Sequence, residues 1–242
     1  MKTTLLIDAD PIVYRASASS EDELDFTPDV TVVTGDFKKG KNIVKRNIKE
    51  LSERFDTDEM VFFFTSEINF RKTVDPQYKG NRQKRKPAGF KKLKNWTKTQ
   101  YESIEIEGLE ADDALGIAAT CGDYNNFIVC SPDKDLEQFA CRIWNGKIEF
   151  TQTASEAILK RWMQSLHGDA CDGYAGIRGY GPKKAAALLK KVQDGNYYPA
   201  VLKAYLDEGL TEEDALRNIR LATILSVDDW DAEAFEPILF TP

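Results

Sequence analysis

The acidic residues that could do chemistry fall where strands end and helices begin. Asp8 follows the run Thr3–Ile7, Glu67 follows Met60–Thr65, and Asp133 and Asp135 follow Phe127–Cys130. In open α/β sheets ligands collect at the carboxyl ends of strands, where the chain leaves the sheet. Glu110, Asp112 and Asp113 stand at the start of a helical stretch, and Asp169 and Asp172 add two acids three positions apart. Two residues along an ideal helix are about 200° apart, so Glu110 and Asp112 share a site only if Glu110 precedes the helix. Each acid alone has an ordinary explanation as a first-turn or loop residue. Gathered together, they repel one another unless cations neutralise them. All-oxygen donors select Mg²⁺ or Mn²⁺, and two such ions suit phosphodiester hydrolysis.

Charge segregation points the same way. The 242-residue chain carries a net charge of −7, yet Arg71 to Lys98 contains eleven basic residues and one acid, Asp75. That window is therefore +10 and the rest of the chain −17. A local field of this kind attracts polyanions while the bulk repels them. Tyr78, Phe90 and Trp96 lie among the cations; they suit stacking on bases, and a core-facing helix stripe accounts equally for Phe90 and Trp96.

Other classes are excluded by counting. His167 is the only histidine, which rules out multi-histidine zinc sites. The four cysteines show no CxxC spacing, so reduced thiols in a cytoplasmic protein are expected. Asp8 and Asp10 interrupt what would be the apolar core of a signal peptide. No apolar run reaches membrane-spanning length, so no membrane partner is expected.

The positioning elements read as an α/β protein with a largely parallel sheet. Strands are expected at Thr3–Ile7, Met60–Thr65, Ser103–Ile106 and Phe127–Cys130. Asp10-Pro11 resembles a helix start with Asp10 as cap, and helical spacing runs from Ile43 through Phe55. A further helix covers 111–120, and the capping box Thr153-x-x-Glu156 opens one running to about Leu166. Pro182–Val192, Tyr198–Leu206 and Glu212–Leu225 complete a helical last third, with a boundary near residue 150. The acidic tail Asp228–Pro242 suits either a partner or the body of the protein.

Ordered along the chain, the motifs resemble the 5′ nuclease (flap endonuclease) superfamily, and within it the bacteriophage 5′→3′ exonucleases. They are Ile7-Asp8-Ala9-Asp10 with Tyr14-Arg15, Phe64-Thr65 with Asn69-Phe70-Arg71-Lys72, and Asp75-Pro76-Gln77-Tyr78-Lys79-Gly80-Asn81-Arg82. Then come Glu110-Ala111-Asp112-Asp113, Ser131-Pro132-Asp133-Lys134-Asp135, and Gly168-Asp169-Ala170-Cys171-Asp172-Gly173 leading to Gly176-Ile177-Arg178-Gly179-Tyr180-Gly181-Pro182.

The resemblance implies a nuclease core over 1–150 with a basic arch or clamp near 73–100. It also implies a helical DNA-binding part over 151–242 with a helix–three-turn–helix near 168–190. Metal ligands would be Asp8, Glu110, Asp112, Asp113, Asp133, Asp135, Asp169 and Asp172, and Lys79 and Arg82 would contact the scissile phosphate. One position departs from the family: Ser66 stands where an aspartate is usual, so either Glu67 substitutes with its longer reach or that ligand is missing. Arg71, Lys72, Lys84, Arg85 and Lys86 are candidate DNA contacts. So are Gly176, Gly179 and Gly181 with Lys183 and Lys184, where tight turns meet a helix N-terminus.

The family activity is Mg²⁺- or Mn²⁺-dependent 5′→3′ exonuclease action on duplex DNA ends and flaps, with removal of RNA primers from RNA–DNA hybrids, and K⁺ often sits at the helix–three-turn–helix. Two rivals share the sheet and the acids: a PIN-type ribonuclease, which lacks the glycine hairpin, and a non-catalytic, structure-specific DNA-binding protein.

Overall fold

The computed structural model describes residues 2–82 and 85–242. Its centre is a six-stranded sheet. The first strand, β1 (Thr4–Asp8), is flanked by β4 (Met60–Phe63) and β6 (Phe127–Cys130), both parallel to it. Beyond β4 lies β5 (Ser103–Ile104); beyond β6 lie β7 (Arg142–Trp144) and the antiparallel β8 (Glu149–Thr151). The chain moves outward from β1 to one edge, then crosses back to build the other. The reversal places the β1/β6 crevice at the switch point where such sheets bind ligands. Leu5, Leu6 and Ile7 are wholly buried, as expected for a parallel strand covered on both faces.

One face is covered by α1 (Asp10–Ala18), α2 (Phe37–Phe55) and α4 (Phe90–Gln100), packed on one another. Their buried residues Ile12, Val13, Val44, Ile48, Phe90 and Leu93 meet Leu5, Ile7, Phe62 and Ile128 from the sheet. The other face takes α5 (Ala111–Thr120), whose Leu115 is wholly buried among Leu6, Phe63 and Val129. Between β4 and α4 runs α3 (Arg71–Val74). The last third supplies α6 (Ala154–His167), α7 (Pro182–Leu189), α8 (Tyr198–Asp207) and α9 (Glu212–Ala222), which share a second core around Leu166, Val201, Tyr205 and Ile219. No helix of the described residues is long and apolar enough to cross a membrane.

Several details differ from the sequence expectations. Asp10 does not cap α1; it is the first helical residue, and its Oδ2 accepts the Thr65 N–H at 3.0 Å, tying α1 to the end of β4. Two turns precede Ile43 in α2, capped by Asp36, which accepts from the Lys39 N–H. A hairpin of β2 (Glu21–Thr27) and β3 (Val30–Gly35) precedes α2. Two short hairpins follow later, β9 (Gly168–Asp169) with β10 (Tyr174–Ala175) and β11 (Trp230–Asp231) with β12 (Glu236–Pro237). The tail is split: Phe240 packs on Trp162 and Tyr198, while Phe235 is 72% exposed. All four cysteines are free, as the missing CxxC spacing implied.

After α9 the chain returns to the sheet. Ile224 and Leu225 are buried against the two cores around α5. Gly116 of α5 makes room for this return, since a Cβ there would lie 2.3 Å from the Leu225 carbonyl oxygen and 2.2 Å from the Phe139 ring. Alanine at 116 favours the helix intrinsically, but overpacking of this kind costs about 1–3 kcal/mol. Gly116→Ala is therefore expected to lower the urea midpoint; an unchanged or higher midpoint would show that the return loop yields freely.

Candidate active site

At the switch point Asp8 ends β1 with only 5% exposure, and the Ser131 hydroxyl donates to its Oδ2 at 2.7 Å across the β1/β6 crevice. Beside it lies a cavity of about 160 Å³ whose wall includes Glu110, Asp112, Asp133, Asp135, Asp169 and Asp172. Three segments bring these six carboxylates together. Glu110 caps α5 and Asp112 sits in its first turn, so the pre-helical placement expected for Glu110 holds. Asp133 caps the 3₁₀ turn Lys134–Gln138 that carries Asp135. Asp169 and Asp172 lie in and just after β9, where the Asp169 carboxylate accepts the Cys171 and Asp172 N–H groups.

The packing of β9 against β10 depends on glycine. Gly168 has φ +70°, and a Cβ on it would lie 2.2 Å from the Gly176 nitrogen; a Cβ on Gly176 would lie 2.3 Å from the Leu166 carbonyl oxygen. The two backbones approach so closely that no side chain fits between them, which fixes Asp169 at the cavity wall.

The carboxylates divide into two groups. Glu110 and Asp172 already have internal cations and donors. Lys79 Nζ donates to Glu110 and lies 3.4 Å from Asp172, while Arg82 donates to Asp172 at 2.7 Å. The Tyr78 hydroxyl lies 3.0 Å from Glu110 and 2.8 Å from Asp172, and burial pushes its pKa well up, so it stays protonated and donates. Burial alone would raise the Glu110 pKa, but Lys79 and Arg71 outweigh it and hold Glu110 low.

Asp8, Asp112 and Asp135 lack such partners. Burial, reinforced by Asp10 and Asp133 and opposed by Ser131, pushes Asp8 up to about 7. Asp112 is raised well above the carboxylate range by its recessed position and by Asp8, Asp133 and Glu110. Asp135 rises to about 6, chiefly through burial and Asp133; its Oδ2 accepts from Gln164, and its buried Oδ1 has no partner among the described residues. Negative charge here exceeds what the protein itself neutralises.

An all-oxygen, under-neutralised donor set of this kind fits hard divalent ions. Among the described residues, however, no three acids already close on a single point.

Three sequence-based assignments need correction. Arg71 is no surface phosphate contact: its side chain is 0% exposed. Nη1 and Nη2 grip both oxygens of Asp113 at 2.7 Å, Nη1 lies 3.4 Å from Glu110, and Nε and Nη2 donate to the Leu221 and Thr223 carbonyls. Asp113 is likewise fully buried and consumed by Arg71 and by the Glu110 and Leu225 N–H groups, so it supports the site from behind and does not line it. Glu67 is not brought to the cavity: its side chain is 78% exposed and pairs with Lys91, leaving no acid at the family's aspartate position.

The aromatic reading is also decided. Tyr78 and Phe90 are buried and present no free face to a base, and Trp96 is half-buried against the α1–α2–α4 core. The basic side chains Lys72, Arg85, Lys86, Lys183 and Lys184 are exposed; Lys84 lies outside the described residues. Arg85 is held by Glu21 of β2, which also accepts the Ala88 N–H at 2.6 Å. Gly179 and Gly181 are exposed between β10 and α7, and Lys184 lies over the Tyr180 ring. Ser131, Tyr78 and Gln164 were not assigned to the site from sequence. Ser131 and Tyr78 sit inside motifs given above, but Gln164 lies outside them and reaches Asp135 only through folding.

Comparison with known proteins decides the class. A family model described as the 5′-3′ exonuclease N-terminal resolvase-like domain matches residues 3–163. The chain belongs to this exonuclease family. Over its whole length it is 30% identical to the exonuclease of Escherichia phage T7, covering 94% of that relative. It is 25% identical to the exodeoxyribonuclease of Enterobacteria phage T3, covering 93%. The T5 D15 protein co-crystallized with metal ions shares the fold, with a TM-score of 0.68 at 16% identity over 91% of this chain and 89% of that one. As a member of the exonuclease family the chain is an enzyme, a 5′→3′ exonuclease, and the reading as a binding protein without chemistry is set aside.

Proposed function

We propose that this exonuclease hydrolyses phosphodiesters at 5′ ends and flaps of duplex DNA, and RNA 5′ ends on RNA–DNA hybrids, in the cytoplasm. It would do so with two Mg²⁺ or Mn²⁺ ions. The observation that carries the reading is the six-carboxylate cavity bordered by Lys79 and Arg82. Asp8, Glu110, Asp112, Asp133, Asp135, Asp169 and Asp172 would hold the ions, which supply a nucleophile at neutral pH and charge stabilisation at phosphorus.

The chain's own residues do the rest. Lys79 offers a point charge and Arg82 a planar fork for phosphate oxygens; both must leave Glu110 and Asp172 to do so. The α7 N-terminus, with Pro182 at its first position and Lys183 and Lys184 beside it, suits a backbone phosphate of the duplex. Carbonyls of the preceding glycine turns are the proposed K⁺ site. Lys72, Lys84, Arg85 and Lys86 would steer the strand over the 73–100 arch. We propose a nuclease core over 1–150 and a DNA-gripping part over 151–242. The glycine hairpin at 168–176 supports this reading over a PIN-type ribonuclease.

The test is Asp133→Ala with Asp135→Ala, assayed on 5′-labelled duplex, flap and RNA–DNA hybrid substrates with Mg²⁺. Activity should fall well beyond the roughly 10–100-fold loss that changes around a metal's ligands produce. Unchanged cleavage by the double variant would overturn the site.

A further inference from the structure

A second, larger cavity of about 490 Å³ opens against Asp8, between α1, α2 and the turns after β6 and β7. Asp8 and Ser131 are among its lining residues. Its chemistry is different. Arg15 from α1 and Arg46 and Arg54 from α2 line it, eight residues separating the latter two along one helix face. Among the described residues Arg15 and Arg54 have no carboxylate partner, and Arg46 has only the exposed Glu50, at 3.7 Å. In a chain whose remainder outside 71–98 carries −17, three exposed arginines lining one hollow give it a local basic field suited to an anion.

The remaining walls are apolar. Ile12, Ile43 and Leu51 floor the hollow, and the Trp144 indole closes one side with the Arg54 guanidinium 3.7 Å above its centre. That stack holds Arg54 in a planar, pre-oriented pose at little further entropic cost. Guanidinium groups beside an apolar and aromatic shelf match a phosphate joined to a sugar and a base, and the volume falls in the range of small-ligand sites.

We infer that this cavity is a subsite for one nucleoside monophosphate unit, its phosphate on Arg15, Arg46 and Arg54 and its base or sugar against Trp144 and the apolar floor. The inference rests on the exonuclease reading for its meaning. A unit seated there lies against Asp8, as the released mononucleotide or as a nucleotide of the strand.

Thymidine 5′-monophosphate, titrated calorimetrically into the full chain in EDTA, tests it without turnover. The mononucleotide should bind at least ten times more tightly than thymidine, and Arg46→Ala with Arg54→Ala should weaken it at least tenfold. Glu50→Gln, which removes the competing carboxylate from Arg46, should tighten binding two- to threefold; this opposite change cannot come from misfolding. A single-stranded oligonucleotide that displaces the mononucleotide identifies a strand subsite, and failure to displace it identifies a product subsite. No measurable binding, or equal binding by the double arginine variant, overturns the inference. Because no divalent ion is present, that result is independent of the Asp133/Asp135 cleavage assay.

Discussion

Replacing Arg71 with methionine is expected to destabilise the protein by about 3–5 kcal/mol, the cost of breaking a buried ion pair by removing one partner. All five guanidinium N–H groups are engaged: three with Asp113 and Glu110, two with the Leu221 and Thr223 carbonyls. Methionine fills the volume but leaves Asp113 a buried charge with only the Glu110 and Leu225 N–H groups, takes one cation from Glu110, and leaves the Leu221 and Thr223 carbonyls without the guanidinium. Lysine keeps the charge, but three donors on one nitrogen cannot span acceptors on α5 and on the segment closing α9. The thermal midpoint should fall by roughly 6–20 °C for a chain of this size. Arg71→Met with Asp113→Asn should lose less than the sum of the single changes, because the second removes the charge the first strands. A single variant within about 1 kcal/mol of the parent would show that water reaches the network.

The second large effect is at Asp112. Asp112→Asn should abolish most cleavage and yet raise the stability of the metal-free protein near pH 8. The sign follows from the direction of the shifts. Asp112 and Asp8 bind protons more tightly folded than unfolded. Their contribution is therefore favourable at low pH and is lost as pH rises from about 4. For Asp8 the loss is complete only above the folded value of about 7, a span worth roughly a few kcal/mol. Asparagine at 112 removes its own penalty and relieves Asp8, so the unfolding midpoint in EDTA should decline less between pH 5 and pH 8. The gain in midpoint on adding Mn²⁺ should shrink as well. A variant less stable than the parent at pH 8 would mean that Asp112 is held by an internal cation after all.

Much of the site was legible because its acids sit at predictable junctions. β1 and β6 are short apolar runs ending in or just before aspartates, and the Thr153/Glu156 box announces α6 to within a residue. What stayed hidden depended on distance in sequence. Arg71 reads as one more cation in a basic run; only folding brings Asp113, 42 positions away, and the Leu221 carbonyl, 150 away, around it. Glu67 follows β4 as the pattern asked, but its side chain pairs outward with Lys91 of α4. The β2–β3 hairpin has polar and apolar residues exposed along both strands, so no buried face gave it a period to detect. The opening turns of α2 are lysine-rich, and only the Asp36 cap marks where they begin.

The segment that closes α9 also bears on the order in which the site can be completed during synthesis. Leu221, Thr223 and Leu225 supply backbone partners to Arg71 and Asp113 behind the acidic cavity, so a growing polypeptide holds every carboxylate of the cavity long before it holds their support. Contacts spanning that much sequence form late, after the entropy of closing the intervening loop has been met. The backbone support behind the acidic cavity therefore cannot close until Leu221–Leu225 have been made, well after Asp172, the last of the cavity's carboxylates along the chain.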